Sequence, residues 1–331
     1  MLGEGTLKQL LHIQPQPGAH RVALRAGLSV LVPLLTVLAL GHPEWSTYAV
    51  FGAFTSIYGR NHVHLSRLAM QASAGATLVS VVVLGGVVSA LHAPAWSTVL
   101  AAGLVAALGT MLSTAQDWHP PGPMFLVFAF GAVMTIPVTF ADLPVMAVVA
   151  GSSAILSLAL GNVGGFYRRQ RTMPSRLASP WSWQPLRFAL AVVMAGGIAT
   201  ALGIGHPYWA MVAAAAPLSA RGFTGQLLRA GHRVLGTMLG LVTSAALLAL
   251  GMGAVTTVLV VAVLQIATEL LVGRNYGLAM ICITPMALLM GQLAAPRPTA
   301  SLLFDRGIET FIGAAVAVLV VGAVEFRRRR A

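Results

Sequence analysis

Twelve apolar stretches alternate with short polar loops along the chain, near 22–40, 46–59, 68–91, 96–114, 123–140 and 143–163, then 186–204, 207–220, 231–250, 254–272, 276–294 and 306–326. Most are long enough to cross about 30 Å of hydrocarbon as helices. They are rich in Ala, Leu, Val and Gly and show no alternation of period two, which excludes a transmembrane barrel. The second and eighth stretches are short: 14 residues in a helix cover only ~21 Å, so they are either re-entrant or placed where the bilayer is thin.

Charge decides the sidedness. With twelve crossings and both termini inside, Lys8, Arg21, Arg25, Arg60, Arg67, Arg168, Arg169, Arg171, Arg176, Arg187, Arg221, Arg229, Arg233, Arg274 and Arg327 to Arg330 are all cytoplasmic, which is 18 of the 20 basic residues. Only Arg297 and Arg306 fall outside. Turning the two short stretches back would move the Arg60/Arg67 loop and the Arg168–Arg187 linker to the wrong side, so full crossing is expected.

The second half replays the first. Gly41-His42-Pro43-Glu44-Trp45 recurs as Gly205-His206-Pro207-Tyr208-Trp209, and Arg60 recurs as Arg221. Six is an even number of crossings, so the two halves enter the membrane from the same side. The expected fold is an all-α integral membrane protein of two parallel six-helix repeats, related by a pseudo-two-fold axis along the membrane normal, with a shared pathway near their interface. The expected units are a first repeat over 1–163, a basic cytoplasmic linker over 164–185, and a second repeat with a basic tail over 186–331. Trp181 and Trp183 of the linker belong in the headgroup zone.

Composition narrows the class. The chain is 57% hydrophobic and only 8% charged, against about 25% charged in a soluble domain. The net charge of +12 lies beside apolar stretches rather than on a polar domain, which points to lipid headgroups and not to nucleic acid. One cysteine, Cys282, excludes an internal disulfide and a thiolate metal cage. The nine histidines lack zinc-ligand spacing, and Walker A, HExxH and GxSxG patterns are absent, so neither a cofactor nor an enzyme is expected.

The candidate chemistry lies at a few places. The approach to the fifth stretch of each half, Asp117-Trp118-His119-Pro120-Pro121-Gly122-Pro123 and Gly273-Arg274-Asn275-Tyr276-Gly277, puts a helix N-terminus at the inner surface. That end suits a carboxylate, with Arg274 as a bidentate donor and Tyr276 as an aromatic face; a rigid turn and a snorkelling arginine are the plain alternative. Arg60 and Arg221, beside the shortest stretches, would draw anions to the mouth. Glu269 and Glu309 are carboxylates inside apolar stretches, where a buried acid marks a proton pathway or an ion pair, with Arg274 the nearest partner for Glu269. The Gly-His-Pro-X-Trp turns read as structure: a proline at the first helical position, a glycine ending the helix before it, and a tryptophan at the interface. Gly236 and Gly240 form a small-xxx-small pattern for close helix packing.

The His119-Pro120-Pro121-Gly122-Pro123 approach with Phe125-Leu126-Val127-Phe128-Ala129, and the Glu269…Arg274-Asn275-Tyr276…Thr284-Pro285 segment, resemble the fusaric acid resistance protein family. That family groups with aromatic acid exporters and is distantly similar to plant aluminium-activated malate transporters. The resemblance covers most of both halves, without the sizeable cytoplasmic domains of larger members. It implies a multi-pass cell-membrane protein that exports small organic anions, aromatic carboxylates among them, or conducts them passively. It also implies that His119, Pro121, Gly122, Arg274, Asn275 and Tyr276 lie near the pathway. A small organic anion and the bilayer are therefore the expected partners, and Glu269 and Glu309 are the candidates for proton coupling. A passive channel on the same scaffold and a membrane scaffold without flux are the alternatives.

Overall fold

A computed structural model of the chain describes residues 10, 12–16, 18–59, 64–162 and 182–330. Among them are twelve α-helices: α1 (Ala19–Ala39), α2 (Ser46–Ala53), α3 (His64–Ala90), α4 (Ala95–Ala115), α5 (Met124–Met134), α6 (Leu143–Asn162), α7 (Gln184–Ala201), α8 (Pro207–Leu218), α9 (Phe223–Ala249), α10 (Ala254–Leu271), α11 (Tyr276–Ala294) and α12 (Thr299–Arg330). Nine elements of the described chain are long and apolar enough to cross a bilayer. The protein is an all-helical, multi-pass membrane protein.

The elements left out of those nine are α2, α5 and α8, and they sit in the middle. Residues Tyr208 to Leu218 of α8 are all buried, as are Tyr48 to Ala53 of α2. The 3-10 turn Phe54–Ile57 that extends α2 is buried too. A helix that is apolar on every side belongs inside a bundle. The long helices carry the lipid-facing residues, such as Leu100, Leu104 and Leu108 of α4 and Leu235, Leu239 and Val242 of α9. The short stretches therefore need not match the hydrocarbon thickness, because protein surrounds them.

Some boundaries differ from the apolar pattern, for physical reasons. The fifth stretch, expected over 123–140, is helical only to Met134. Pro137 follows, and a proline turns the residue before it away from helical geometry. Thr139 and Asp142 then close a capping box, with the Thr139 N–H and Oγ1 donating to Asp142 Oδ2 at 2.7 and 2.8 Å. Helices α9 and α12 start about two turns earlier than the apolar pattern suggests, because polar residues such as Thr224, Gln226 and Arg229, and Thr299, Ser301 and Asp305, lower the hydropathy of their first turns. Arg306, expected in an outer loop, is in α12 and only 1% exposed. Arg60 and most of the linker, including Trp181, lie outside the described residues; Trp183 is 78% exposed.

Several helix pairings of the first six helices recur among the last six. The pairs α1–α2, α1–α6, α2–α6, α3–α5, α3–α6 and α4–α5 all touch, and so do the pairs six helices later. Across the halves, α4 packs on α7 as α10 packs on α1, and α5 meets α8 as α11 meets α2. Small residues permit the close approaches: a side chain at Gly236 would collide with the Gly277 carbonyl of α11, and one at Gly131 with Tyr208 across the seam.

Basic residues gather at one end. Arg25 and Arg67 donate to the Gly161 carbonyl at the end of α6, at 3.0 and 3.1 Å. Cations there satisfy orphan acceptors and complement the helix dipole. The Gly59 N–H donates to the His119 carbonyl at 2.9 Å, and Asn275 caps α11 while its Nδ2 holds the Leu10 carbonyl at 2.9 Å. We call this the basic end.

Candidate functional site

A cavity of about 170 Å³ runs along the seam between α2 and α5 on one side and α8 to α12 on the other. Its size compares with the ~150 Å³ apolar cavity that accepts a benzene ring. Aromatic rings form part of the wall. Phe51 and Phe128 meet edge to face with centroids 5.1 Å apart, Phe54 and Phe125 do so at 5.6 Å, and Phe128 lies 5.0 Å from Trp209 across the seam. Edge-to-face and tilted contacts of this kind are favourable and leave ring faces available to a flat guest.

Four arginines line the cavity, all from the second half: Arg229, Arg233, Arg297 and Arg306. Arg229 lies over the Tyr276 ring, 4.1 Å from its centroid, and Arg233 Nη1 donates to the Tyr276 hydroxyl at 2.9 Å. Arg306 stacks on Trp209 at 3.8 Å. Arg233 is 3% and Arg306 1% exposed, yet Nε of Arg233 and both Nε and Nη1 of Arg306 have no hydrogen-bond partner among the described residues. Ring faces supply part of the lost hydration through cation–π attraction. The open N–H groups leave room for an acceptor.

Two carboxylates balance part of this charge. Glu269 is 3% exposed, lines the cavity, and has Gln265 Nε2 within 3.4 Å. Glu309 is fully buried one turn beyond Arg306 on α12, within electrostatic reach of it.

At the basic end a wider vestibule of about 780 Å³ opens beside the seam. It is lined by His119, Pro121 and Gly122 of the α4–α5 loop, by Arg187 at the start of α7, and by Arg221 and Gln226 at the start of α9. Gly122 has φ +88°, and its N–H donates to Ser113 Oγ at 2.8 Å. A side chain there would be strained and would also press on Ser219, so this turn needs glycine. Trp118 anchors the loop through its indole N–H, 3.1 Å from Ser73 Oγ. Arg229 lines both the vestibule and the seam cavity.

The structure thus brings together His119, Pro121, Gly122 and Arg221 in the vestibule, and Tyr276 and Glu269 in the seam. It separates others. Arg274 is exposed in the turn before α11 and lines neither cavity, so it is not the donor beside Tyr276; Arg229 and Arg233 occupy that place. Asn275 serves as the helix cap, its Oδ1 accepting from the Leu278 N–H at 3.1 Å. Glu309 lies behind the wall rather than in it.

The two Gly-His-Pro-X-Trp turns, at the other end, differ from each other. His42 stacks on Trp45 at 3.8 Å and holds the carboxyl of Glu44 below its ordinary value through a 2.7 Å contact. Trp209 is 4% exposed and therefore carries Arg306 instead of anchoring at the interface. His206 is buried, 3.4 Å from Asp305. Sequence reasoning missed Arg229, Arg233, Arg306 and Trp209 as site residues. The signal for the first two was their spacing of four, which places both on one face of α9.

Over 146 residues the chain is 30% identical to an uncharacterized membrane protein, YvaC, of Bacillus subtilis (strain 168); the match covers 44% of this chain and 22% of that protein. The chain therefore spans less than a quarter of this relative's length. No solved structure matches. Residues 192–320 match the family described as fusaric acid resistance protein-like. This stretch runs from within α7 to within α12 and contains Trp209, Arg229, Arg233, Glu269, Tyr276, Arg306 and Glu309. Over this stretch the chain is similar to the fusaric acid resistance protein-like family.

Proposed function

We propose that the protein exports small organic anions, aromatic carboxylates among them, through the seam between helices α1–α6 and α7–α12. The observation that carries this reading is the position of Arg229, which borders both the vestibule and the aromatic cavity. An anion drawn in by Arg187 and Arg221 meets Arg229 and then the buried donors of Arg233 and Arg306, without leaving positive potential. Aromatic walls suit a flat apolar body, and guanidinium groups suit its carboxylate.

The basic end faces the cytoplasm in this reading, with both termini there, by the bias of Lys and Arg. The six-helix units, over 1–163 and 186–331 with the linker 164–185 between them, are two parallel copies. The recurrence of six helix pairings of the first unit among the helices of the second supports this.

The test is efflux from proteoliposomes with a panel of aromatic and aliphatic acids, with and without a pH gradient. Protein-dependent efflux that favours aromatic acids is expected. Absence of flux for every acid would make the protein a membrane scaffold and end this reading. A run of cavity lining from Arg229 to Arg297 favours a second reading, a passive anion channel. Single-channel currents with anion selectivity would identify it.

A further inference from the structure

We propose that Arg306 is the anion-binding station of the seam and that Glu309 is its resident counter-charge, so that each organic anion passing this level travels together with one proton. The proposal rests on the transport reading above and adds its coupling.

The geometry points to Arg306 first. Its guanidinium faces the cavity, is 1% exposed, stacks on Trp209 and has two N–H donors without a partner among the described residues. A cation so far from water needs a counter-charge. In the empty seam that role falls to Glu309, one turn further along α12 and fully buried behind the wall.

An arriving carboxylate or sulfonate supplies the same negative charge through the open donors. Two anions around one cation then leave an uncompensated charge in a medium of low dielectric, where such a charge is costly. Glu309 relieves it by taking up a proton, and gives the proton back when the anion leaves.

The groups facing Glu309 fit this exchange. On its own helix they are Arg306 and Asp305; from α8 and the turn before it they are Tyr208 and His206. Arg233 of α9 faces Arg306 and adds to the positive potential that holds the anion. Arg297 stands near His206 at the same end. Because proton and anion move in the same direction, this step transfers no net charge.

The experiment uses the full chain in proteoliposomes, with benzenesulfonate as the probe because it carries no proton of its own near neutral pH. A pH dye inside the vesicles and a potassium–valinomycin clamp measure protons and charge per anion. The expected result is one proton per anion and a rate indifferent to the clamped potential. In the isosteric variant Glu309→Gln, proton movement should vanish and the rate should follow the potential.

Wild-type flux that carries charge and no protons overturns the proposal and leaves the transport reading standing, as does a Glu309→Gln protein that still moves one proton per anion. If that variant fails to fold, the wild-type ratio decides alone. Absence of protein-dependent flux for benzenesulfonate, benzoate and malonate overturns the transport reading and this proposal with it.

Discussion

Tyr276 is held by two arginines at once: the Arg229 guanidinium covers its ring at 4.1 Å, and Arg233 donates to its hydroxyl at 2.9 Å. Both arginines lie on one face of α9, and the tyrosine is the first residue of α11. The contact therefore ties the vestibule end of one helix to the start of another. Tyr276→Phe should remove the hydrogen bond and keep the stack, at a cost of about 1.5–3 kcal/mol for a bond to a charged group. Tyr276→Leu should cost roughly 0.5–2 kcal/mol more through the lost cation–π contact. Thermal unfolding midpoints in detergent will order the variants as wild type, then Phe, then Leu.

Arg229→Ala should lower organic-anion flux about tenfold, or ~1.4 kcal/mol of favourable interaction, because this residue joins vestibule to seam. Arg274→Ala should leave flux within about twofold, the scale of a surface charge screened by water and salt. Initial rates in proteoliposomes compare the two directly. Equal losses would contradict the separation of Arg274 from the route.

Gly236 packs where α9 crosses α11, against the Gly277 carbonyl and Met280 Cβ. Gly236→Leu should destabilise by about 1–3 kcal/mol through overpacking. Gly151 of α6 has open space around its missing Cβ, and Gly151→Ala should be neutral or stabilise by roughly 0.5–1 kcal/mol through helix propensity. Unfolding midpoints of the two variants should move in opposite directions.

His206 sits at the start of α8, where burial lowers its pKa; Arg297 adds to the effect and Asp305 opposes it. Its folded pKa is thus below the unfolded value of about 6.5. Below that value the unfolded chain binds more protons than the folded one, so stability is full above about pH 6.5 and falls as the pH drops toward the folded pKa. His206→Gln should flatten the unfolding midpoint between about pH 5 and 7 relative to wild type. A variant that keeps the full slope would assign the effect to another group.

The apolar pattern located all twelve helices because hydrocarbon leaves the chain little choice there. It misplaced the starts of α9 and α12, since hydropathy registers apolar composition and their first turns hold polar and charged residues. The same dependence on composition hid Arg233 and Arg306, which are buried. An arginine near an apolar boundary reads as a loop charge, and only the opposite wall, with Trp209 and Tyr276, makes it a buried donor. The vestibule was more legible: Pro121 and Gly122 announce a rigid turn, and positive φ at Gly122 follows from that turn. Arg274 misled because adjacency in sequence to Tyr276 does not survive the helix start, where the two side chains point to water and to the interior.

The buried middle of the bundle bears on how the chain is assembled. Alone, α8 is too short to span the bilayer, since its 12 residues rise only ~18 Å against about 30 Å of hydrocarbon. This segment is expected to enter the membrane as a passenger of α5, α7, α9 and α12, which pack on it. Biogenesis therefore cannot proceed one crossing at a time through this region. Truncation after α8 would remove α9 and α12, two of the four helices packed on it, and is expected to leave α8 poorly integrated until α12 is made.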